Sequence, residues 1–374
     1  MLTQRFLNIL RRFAAAAFLA FVASTASAHP SWGIVVSSTG IVYFSDLETV
    51  WKIDRDGHLS VFRAGIGGQH VHELAIDEHG NLYGPDSVYD STTQKYLIGV
   101  WKMTPDGKES RLQKPIDSFM SGVSIWRDQA DNMYSIEQNN NLKERTLLLK
   151  RTPDGHVMAL AGGAYGYADG KGPAAKFSSV YAITFGADSK IYLTDNTFVR
   201  RVTMEGDVTT VAKDLSVRTS EDKPTLFGGN DKILAGLAAD SNGNVFVADA
   251  GNRRLLKIGK DGSVGVVYRL DPPYFPTGVF AAANGDVYVL EFSFTPPGTT
   301  DKARVRKISS NGENKLLTAV PHTADDSARP ATFGASIFTT KAAVNLRVIS
   351  VVLLIIAALA AILVFVRRRK QQRT

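Results

Sequence analysis

The eight residues VWKIDRDG at positions 50–57 decide the fold, because the same frame occurs six times without gaps. The other copies are VWKMTPDG (100–107), LLKRTPDG (148–155), VRRVTMEG (199–206), LLKIGKDG (255–262) and VRKISSNG (305–312). The third residue of every copy is basic and the eighth is glycine, a pattern that predicts a strand followed by a tight turn. Such internal similarity at a regular spacing indicates a repeat architecture.

A second frame precedes each copy of the first and places an acid three residues after an aromatic. Its copies are VYFSD (42–46), LYGPD (82–86), MYSIE (133–137), IYLTD (191–195), VFVAD (245–249) and VYVLE (287–291). A short apolar strand before the second frame and another after the first give four strands per unit, and successive units lie 48 to 56 residues apart. Six such antiparallel sheets predict an all-β, six-bladed β-propeller. Because every unit keeps four strands, we expect the ring to close without strand exchange between the last and first units.

These residues resemble the NHL-repeat propellers over roughly residues 32–318. The stretches GLAADSNGNVFVADAGNRRLLKIGKDG (236–262) and AGGAYGYADGKGPAAKFSSVYAITFGADSKIYLTD (161–195) carry the resemblance. It implies that the linkers entering the innermost strands and the loops between second and third strands open on one face. The segments on this face are the ones that lengthen here: 87–99, 138–146, 162–179, 217–232, 270–276 and 292–303.

The two ends of the chain predict an exported, membrane-anchored protein. Residues 1–28 combine arginines, an apolar run and Ala26-Ser27-Ala28, which is typical of a signal peptide. Residues 348–366 are nineteen residues without a charge, and a basic cluster follows at 367–370. We therefore expect a propeller at 29–318, a flexible tether at 319–343, a transmembrane helix at 344–366 and a cytoplasmic tail at 367–374. The propeller would lie on the periplasmic or extracytoplasmic side of the cell membrane, as in a single-pass type I protein.

Charge and cysteine content exclude two classes of function. The net charge is +7, but nine basic residues and no acid lie in 1–28 and 344–374, which leaves −2 for the rest. A nucleic-acid-binding propeller would concentrate basic residues on the folded domain, so no nucleic-acid partner is expected. The chain has no cysteine, which excludes disulfides and thiol chemistry.

Residues present in all six units are expected to be structural. The acids of the second frame, Asp46, Asp86, Glu137, Asp195, Asp249 and Glu291, would accept hydrogen bonds from local turn amides. The basic residues of the first frame, Lys52, Lys102, Lys150, Arg201, Lys257 and Lys307, would lie next to those acids or in solvent.

Of the departures from the repeat, the linker into the second unit, GGQHVHELAID, contains the side chains best suited to catalysis or metal binding. Its His70 and His72 are two residues apart, and on a strand they share a side on which they could bind a divalent metal together with Glu73. A polar cluster at the mouth of the channel, without a metal, is the alternative. Further candidate binding residues on the same face are Asn139, Tyr181, Asn196, Asn230 and Tyr274.

Three functions fit these observations. The first is a membrane-tethered binding module that presents its loop-rich face to a protein, peptide or glycan. The second is an enzyme at the central channel, because similar six-bladed propellers include metal-dependent lactonases and a zinc lyase. The third is a structural scaffold of the cell envelope. The sequence leaves open whether the protein is an enzyme.

Overall fold

The computed structural model describes residues 30–90, 92–93, 95–118, 125–138, 143–222, 232–293 and 301–321. The predicted signal peptide, transmembrane helix and tail, with nearly all of the tether, lie outside these ranges. Within the described ranges no helix is long and apolar enough to cross a membrane.

Six antiparallel sheets form the six predicted blades. Blade 1 contains β1 (Ile34–Val36), β2 (Val42–Ser45), β3 (Val50–Ile53) and β4 (Leu59–Arg63). Blade 2 contains β5 (Gln69–His70), β6 (Ala75–Ile76), β7 (Leu82–Asp90), β8 (Lys95–Met103) and β9 (Glu109–Ser118). Blade 3 contains β10 (Ile125–Arg127), β11 (Met133–Gln138), β12 (Arg145–Arg151) and β13 (Val157–Ala164).

The second half of the chain repeats this plan. Blade 4 contains β14 (Gly170–Lys171), β15 (Val180–Phe185), β16 (Ile191–Asp195), β17 (Phe198–Val202) and β18 (Asp207–Ala212), and a 3-10 turn (Gly172–Ala174) follows β14. Blade 5 contains β19 (Leu234–Ala239), β20 (Val245–Asp249), a 3-10 turn (Ala250–Asn252), β21 (Arg254–Ile258) and β22 (Val264–Arg269). Blade 6 contains β23 (Phe275–Ala281), β24 (Val287–Phe292), β25 (Asp301–Ile308) and β26 (Asn314–Pro321).

The innermost strands form a closed ring. Contacts run from β1 to β6, β10, β15, β19 and β23 in turn, and β23 contacts β1 again. Each blade is built from consecutive strands, so the prediction that the ring closes without strand exchange is confirmed. The hydrophobic core lies between neighbouring blades. Tyr134 and Leu148 of blade 3, for example, share a cluster with Leu193 of blade 4.

The glycine that ends each first frame is required by the turn between the third and fourth strands. All six glycines have φ between +83° and +91°, a left-handed conformation that favours glycine. In each turn the glycine N–H donates to the carbonyl oxygen three residues earlier, as Gly57 does to Asp54. The glycines are Gly57, Gly107, Gly155, Gly206, Gly262 and Gly312.

The basic residue of the first frame lies directly opposite the aromatic of the second frame. The cross-strand pairs are Tyr43 with Lys52, Tyr83 with Lys102, Tyr134 with Lys150, Tyr192 with Arg201, Phe246 with Lys257 and Tyr288 with Lys307. In four blades the ammonium group lies 5.6 to 5.9 Å from the ring centroid. The prediction of a position in solvent holds for Lys257, which is exposed, whereas the other five basic residues are half-buried opposite the aromatic. Cation–π pairing across two strands accounts for the spacing of the two frames.

The turn between the first and second strands of blade 2 is held by the carboxylate of Asp77. Its Oδ1 accepts hydrogen bonds from the backbone N–H groups of His79 (3.0 Å) and Asn81 (2.8 Å), and its Oδ2 accepts from Asn81 Nδ2 and the Tyr83 hydroxyl (both 2.8 Å). Burial raises the pKa of Asp77, but these hydrogen bonds outweigh it, so the pKa lies below its ordinary value.

Replacement of Asp77 by asparagine should therefore destabilise the protein in a pH-dependent way. The lowered pKa means that the carboxylate stabilises the fold above its unfolded pKa of about 3.9, and this contribution is lost as the pH falls through the folded pKa. We expect Asp77→Asn to cost about 1 kcal/mol at neutral pH and progressively less in acid. Urea unfolding at a series of pH values measures this cost. Asp56→Asn is the control, and a cost for Asp77→Asn that does not change with pH would contradict the prediction.

Candidate functional site

A cavity of about 280 Å³ follows the central channel along the inner strands of blades 1, 2, 4, 5 and 6. The side chains that line it are mainly apolar and include three aromatic residues, Trp32, Phe185 and Phe280, while polar atoms also contribute to its surface. Among the described residues that line it, Glu73 is the one ionisable side chain, and Thr184 is the one other polar side chain. An apolar pocket with few polar groups is the usual form of a small-molecule site.

Glu73 stands at a ring position where the other described blades have almost no side chain. In each of these blades one residue of the innermost strand pairs with the aromatic of the second frame, as Ala75 pairs with Tyr83. The position occupied by Glu73 lies two residues before that paired residue. Its counterparts are Gly33 in blade 1, Ala182 in blade 4, Gly236 in blade 5 and Gly278 in blade 6. The counterpart in blade 3, Ser124, lies outside the described residues. At the three glycines an added Cβ atom would meet the backbone of the neighbouring blade, so these glycines allow adjacent inner strands to pack closely.

The segment before Glu73 is fixed to blade 1 by backbone hydrogen bonds. The Val71 N–H donates to the Leu47 carbonyl (2.6 Å), and the Trp32 N–H donates to the His72 carbonyl (2.9 Å). The Ser31 hydroxyl bridges the carbonyls of Val71 (3.1 Å) and His72 (3.0 Å). These bonds place a buried acid at the channel, since Glu73 is only 7% exposed.

The two histidine rings form a chain of contacts with Trp32. The His72 ring stacks on Trp32 with centroids 5.1 Å apart, and His70 meets His72 edge-on at 5.8 Å. His70 is held by the pairing of β5 with β7, where it lies opposite Ser87. Trp32 lines the cavity, but neither histidine does. The rings therefore support the wall that carries Glu73.

The side chains predicted to bind a metal ion are not clustered in the structure. Among the described residues, one group of three has its ligand atoms within 4.8 Å of one another, namely Asp54, Asp56 and His58. That group lies in the turn between β3 and β4, where Asp54 accepts hydrogen bonds from the backbone of the other two residues. His70, His72 and Glu73 do not form such a group in this structure. Metal binding by these residues, with or without a group from another blade, stays a prediction.

The other predicted binding residues have separate places. Asn196 is exposed and has φ of +58° in the tight turn between β16 and β17. Tyr181 is partly exposed on β15, next to the channel-lining Ala182. Tyr274 is 7% exposed, and the Arg304 guanidinium lies 3.4 Å from its ring centroid. Asn139 and Asn230 lie outside the described residues.

The long segments predicted as loops are partly sheet. Most of segment 87–99 continues β7 and β8, and Tyr89 pairs with Tyr96 in that extension. Phe275 and Phe292, which lie in two of these segments, are 3% exposed, so they pack against the protein itself.

Arginines that the sequence analysis did not single out are the main partners of the frame acids. Asp46 and Asp195 accept hydrogen bonds from nearby backbone amides, as predicted. Five of the six acids pair with arginine: Asp86 with Arg63 and Arg111, Glu137 with Arg145, Asp195 with Arg200, Asp249 with Arg254, and Glu291 with Arg304 and Arg306. Burial raises the pKa of Asp249 despite hydrogen bonds from Asn252 and Arg254. These pairs fix the strand ends around the channel.

Comparison with known proteins supports the fold and not a particular activity. No family model matches the sequence, and no curated protein matches it. A protein of unknown function from Bacteroides thetaiotaomicron has a TM-score of 0.50 at 17% identity, over 71% of this chain and 68% of its own. Virginiamycin B lyase from Staphylococcus aureus has 0.45 at 17% identity (82% and 86% covered), and a gluconolactonase from Xanthomonas campestris has 0.45 at 11% (70% and 83% covered). The six-bladed propeller is confirmed, and membership of the NHL-repeat family stays a prediction.

Proposed function

We propose that this protein binds a small molecule in its central channel, with Glu73 as the polar group that meets it. The observation that carries the proposal is the apolar cavity of about 280 Å³, in which one acid stands where other blades have glycine or alanine. A binding pocket of this kind buries an apolar ligand body and orients it through one polar contact. This favours the central channel over the loop face as the functional site.

We infer further that an enzymatic use of this site is favoured over the display of a surface to a macromolecule. A carboxylate at an apolar cavity is suited to act as a general acid or base, for example in hydrolysis or elimination. His72, which stacks on Trp32, would act by positioning the cavity wall. The proposed acid or base catalysis involves described residues of the channel and does not require a metal ion.

Cysteine labelling tests whether the channel admits small molecules. The natural chain has no cysteine, so Ala182→Cys and Ala238→Cys, both at cavity-lining positions, each provide a single reactive group in the full-length protein. Methyl methanethiosulfonate should label both, as mass spectrometry would detect. Ala283→Cys is the exposed control, and Ala303→Cys, at a fully buried position outside the cavity, should stay unlabelled. Labelling of Ala283→Cys alone would refute a channel site.

A metabolite comparison separates an enzyme from a binding protein. The full-length protein and its Glu73→Gln variant would be incubated with the same mixture of small metabolites, and the mixtures would be analysed by mass spectrometry. An enzyme that uses Glu73 should deplete a compound that the variant leaves unchanged. A compound that is bound by the full-length protein but never converted would contradict the enzymatic proposal and leave the binding proposal in place.

Export and membrane anchoring remain our proposals for the cellular context. They rest on the apolar and charged patterns of residues 1–28 and 348–370. N-terminal sequencing of the mature protein, with His29 as the expected first residue, tests the signal peptide.

A further inference from the structure

The channel has the chemistry of a site for a positively charged ligand. Glu73 is the one ionisable side chain among its described lining residues, and no basic residue is among them. Glu73 is 7% exposed, and a buried carboxylate attracts a cation more strongly than one in water does, because less solvent screens the interaction. An anion in the same cavity would be repelled.

The aromatic residues that line the cavity also favour a positively charged ligand. Trp32, Phe185 and Phe280 line the cavity from blades 1, 4 and 6, on different sides of the ring from Glu73 in blade 2. Aromatic faces attract ammonium groups, and their apolar area also takes up the body of an organic ligand. A bare metal ion would gain nothing from these walls, whereas an alkyl or aryl ammonium compound would.

We propose that the ligand of the channel is an organic cation whose ammonium group pairs with Glu73 and whose apolar part lies among Trp32, Phe185 and Phe280. This inference rests on the proposed channel function and specifies the class of its ligand. Charge-assisted hydrogen bonds to a carboxylate are among the strongest in proteins, so the charge of the ligand should dominate its affinity.

The test compares two ligands that differ in charge and hardly in shape. In full-length Ala182→Cys, 2-phenylethylamine, which is protonated at neutral pH, and neutral 2-phenylethanol would each compete with methyl methanethiosulfonate for the channel. We expect the amine to protect the cysteine at about tenfold lower concentration than the alcohol. In Ala182→Cys with Glu73→Gln, the two compounds should protect at similar concentrations. Ala238→Cys repeats the comparison at a second lining position.

The outcomes separate this inference from the function on which it rests. Equal protection by the amine and the alcohol would overturn the inference and leave a channel site for neutral molecules. Protection by neither compound would overturn both. An amine advantage that persists in Glu73→Gln would overturn the assignment of Glu73 as the cation-binding group.

Discussion

Replacement of Asp195 by alanine is expected to destabilise the protein by about 3 kcal/mol, because it removes the fully buried carboxylate that pairs with Arg200 and leaves the half-exposed Asp169 as the remaining ion-pair partner. Asp195 and Arg200 are both fully buried, and Asp195 Oδ2 accepts a hydrogen bond from Arg200 Nη1 at 2.8 Å. Asp195 Oδ1 also accepts from the backbone N–H groups of Ser178 (2.8 Å) and Ser179 (3.1 Å) in the linker entering blade 4. The substitution would therefore break an ion pair and release a linker together.

Chemical denaturation of the full-length protein measures this loss. The matched control is Asp207→Ala, which removes the carboxylate of an exposed ion pair with Lys171, 3.3 Å long, in the same blade. An exposed pair contributes about 0–1 kcal/mol, so the control should stay close to the unmodified protein. Equal effects of the two substitutions would contradict the importance of the buried pair.

The substitution Gly278→Ala is expected to cost about 2–3 kcal/mol by forcing apart the strands that close the ring. A Cβ atom at Gly278 in β23 would overlap the carbonyl oxygen of Trp32 and lie 3.0 Å from Ile34 Cγ2. Trp32 and Ile34 belong to blade 1 and Gly278 belongs to blade 6, so the glycine allows the last blade to contact the first. The backbone cannot move away without disturbing Trp32, which also lines the channel.

Gly265→Ala provides the control for this prediction. Gly265 lies in β22, the outer strand of blade 5, and an added Cβ atom would meet no atom within 4 Å. The free energy of unfolding of Gly265→Ala should stay within about 0.5 kcal/mol of that of the unmodified protein. Unfolding by denaturant compares the two variants, and a Gly278→Ala protein as stable as Gly265→Ala would show that the ring closes elsewhere.

The architecture was predictable because it follows from local patterns that repeat six times. The glycine of each first frame marks a left-handed turn, and the alternation of apolar residues marks strands, so six blades could be counted from the sequence. The pairing of Lys102 with Tyr83 was not recognised, because residues from different frames become neighbours only when the register between two strands is known. That register follows from the turn between the frames.

The arginines that pair with the frame acids could have been identified from their positions relative to the first frame. Arg200 and Arg306 occupy the second position of the first frame, while Arg254 and Arg304 directly precede it. Positions two residues apart on a strand share a side, so these four arginines lie on the same side of the third strands of their blades. Other blades do not follow this pattern, since their acids pair with a cation from elsewhere, as Asp86 does with Arg63 of β4.

The candidate site was predictable in part. The departure at His70, His72 and Glu73 was identified from sequence, but the three residues were expected to act together. In the structure Glu73 lines the cavity, whereas neither histidine does and His72 stacks on Trp32, because the segment is not a regular strand at that point. The correspondence of Glu73 with glycine or alanine in four other blades could be recognised only after the blades had been aligned by their strand pairing.

A crystal structure of the protein with 2-phenylethylamine would show whether the central channel is the ligand site. We expect the molecule to lie in the channel, with its nitrogen within hydrogen-bonding distance of the Glu73 carboxylate and its ring against Trp32, Phe185 and Phe280. An empty channel, or a molecule bound only elsewhere on the protein, would contradict the assignment of the channel as the functional site.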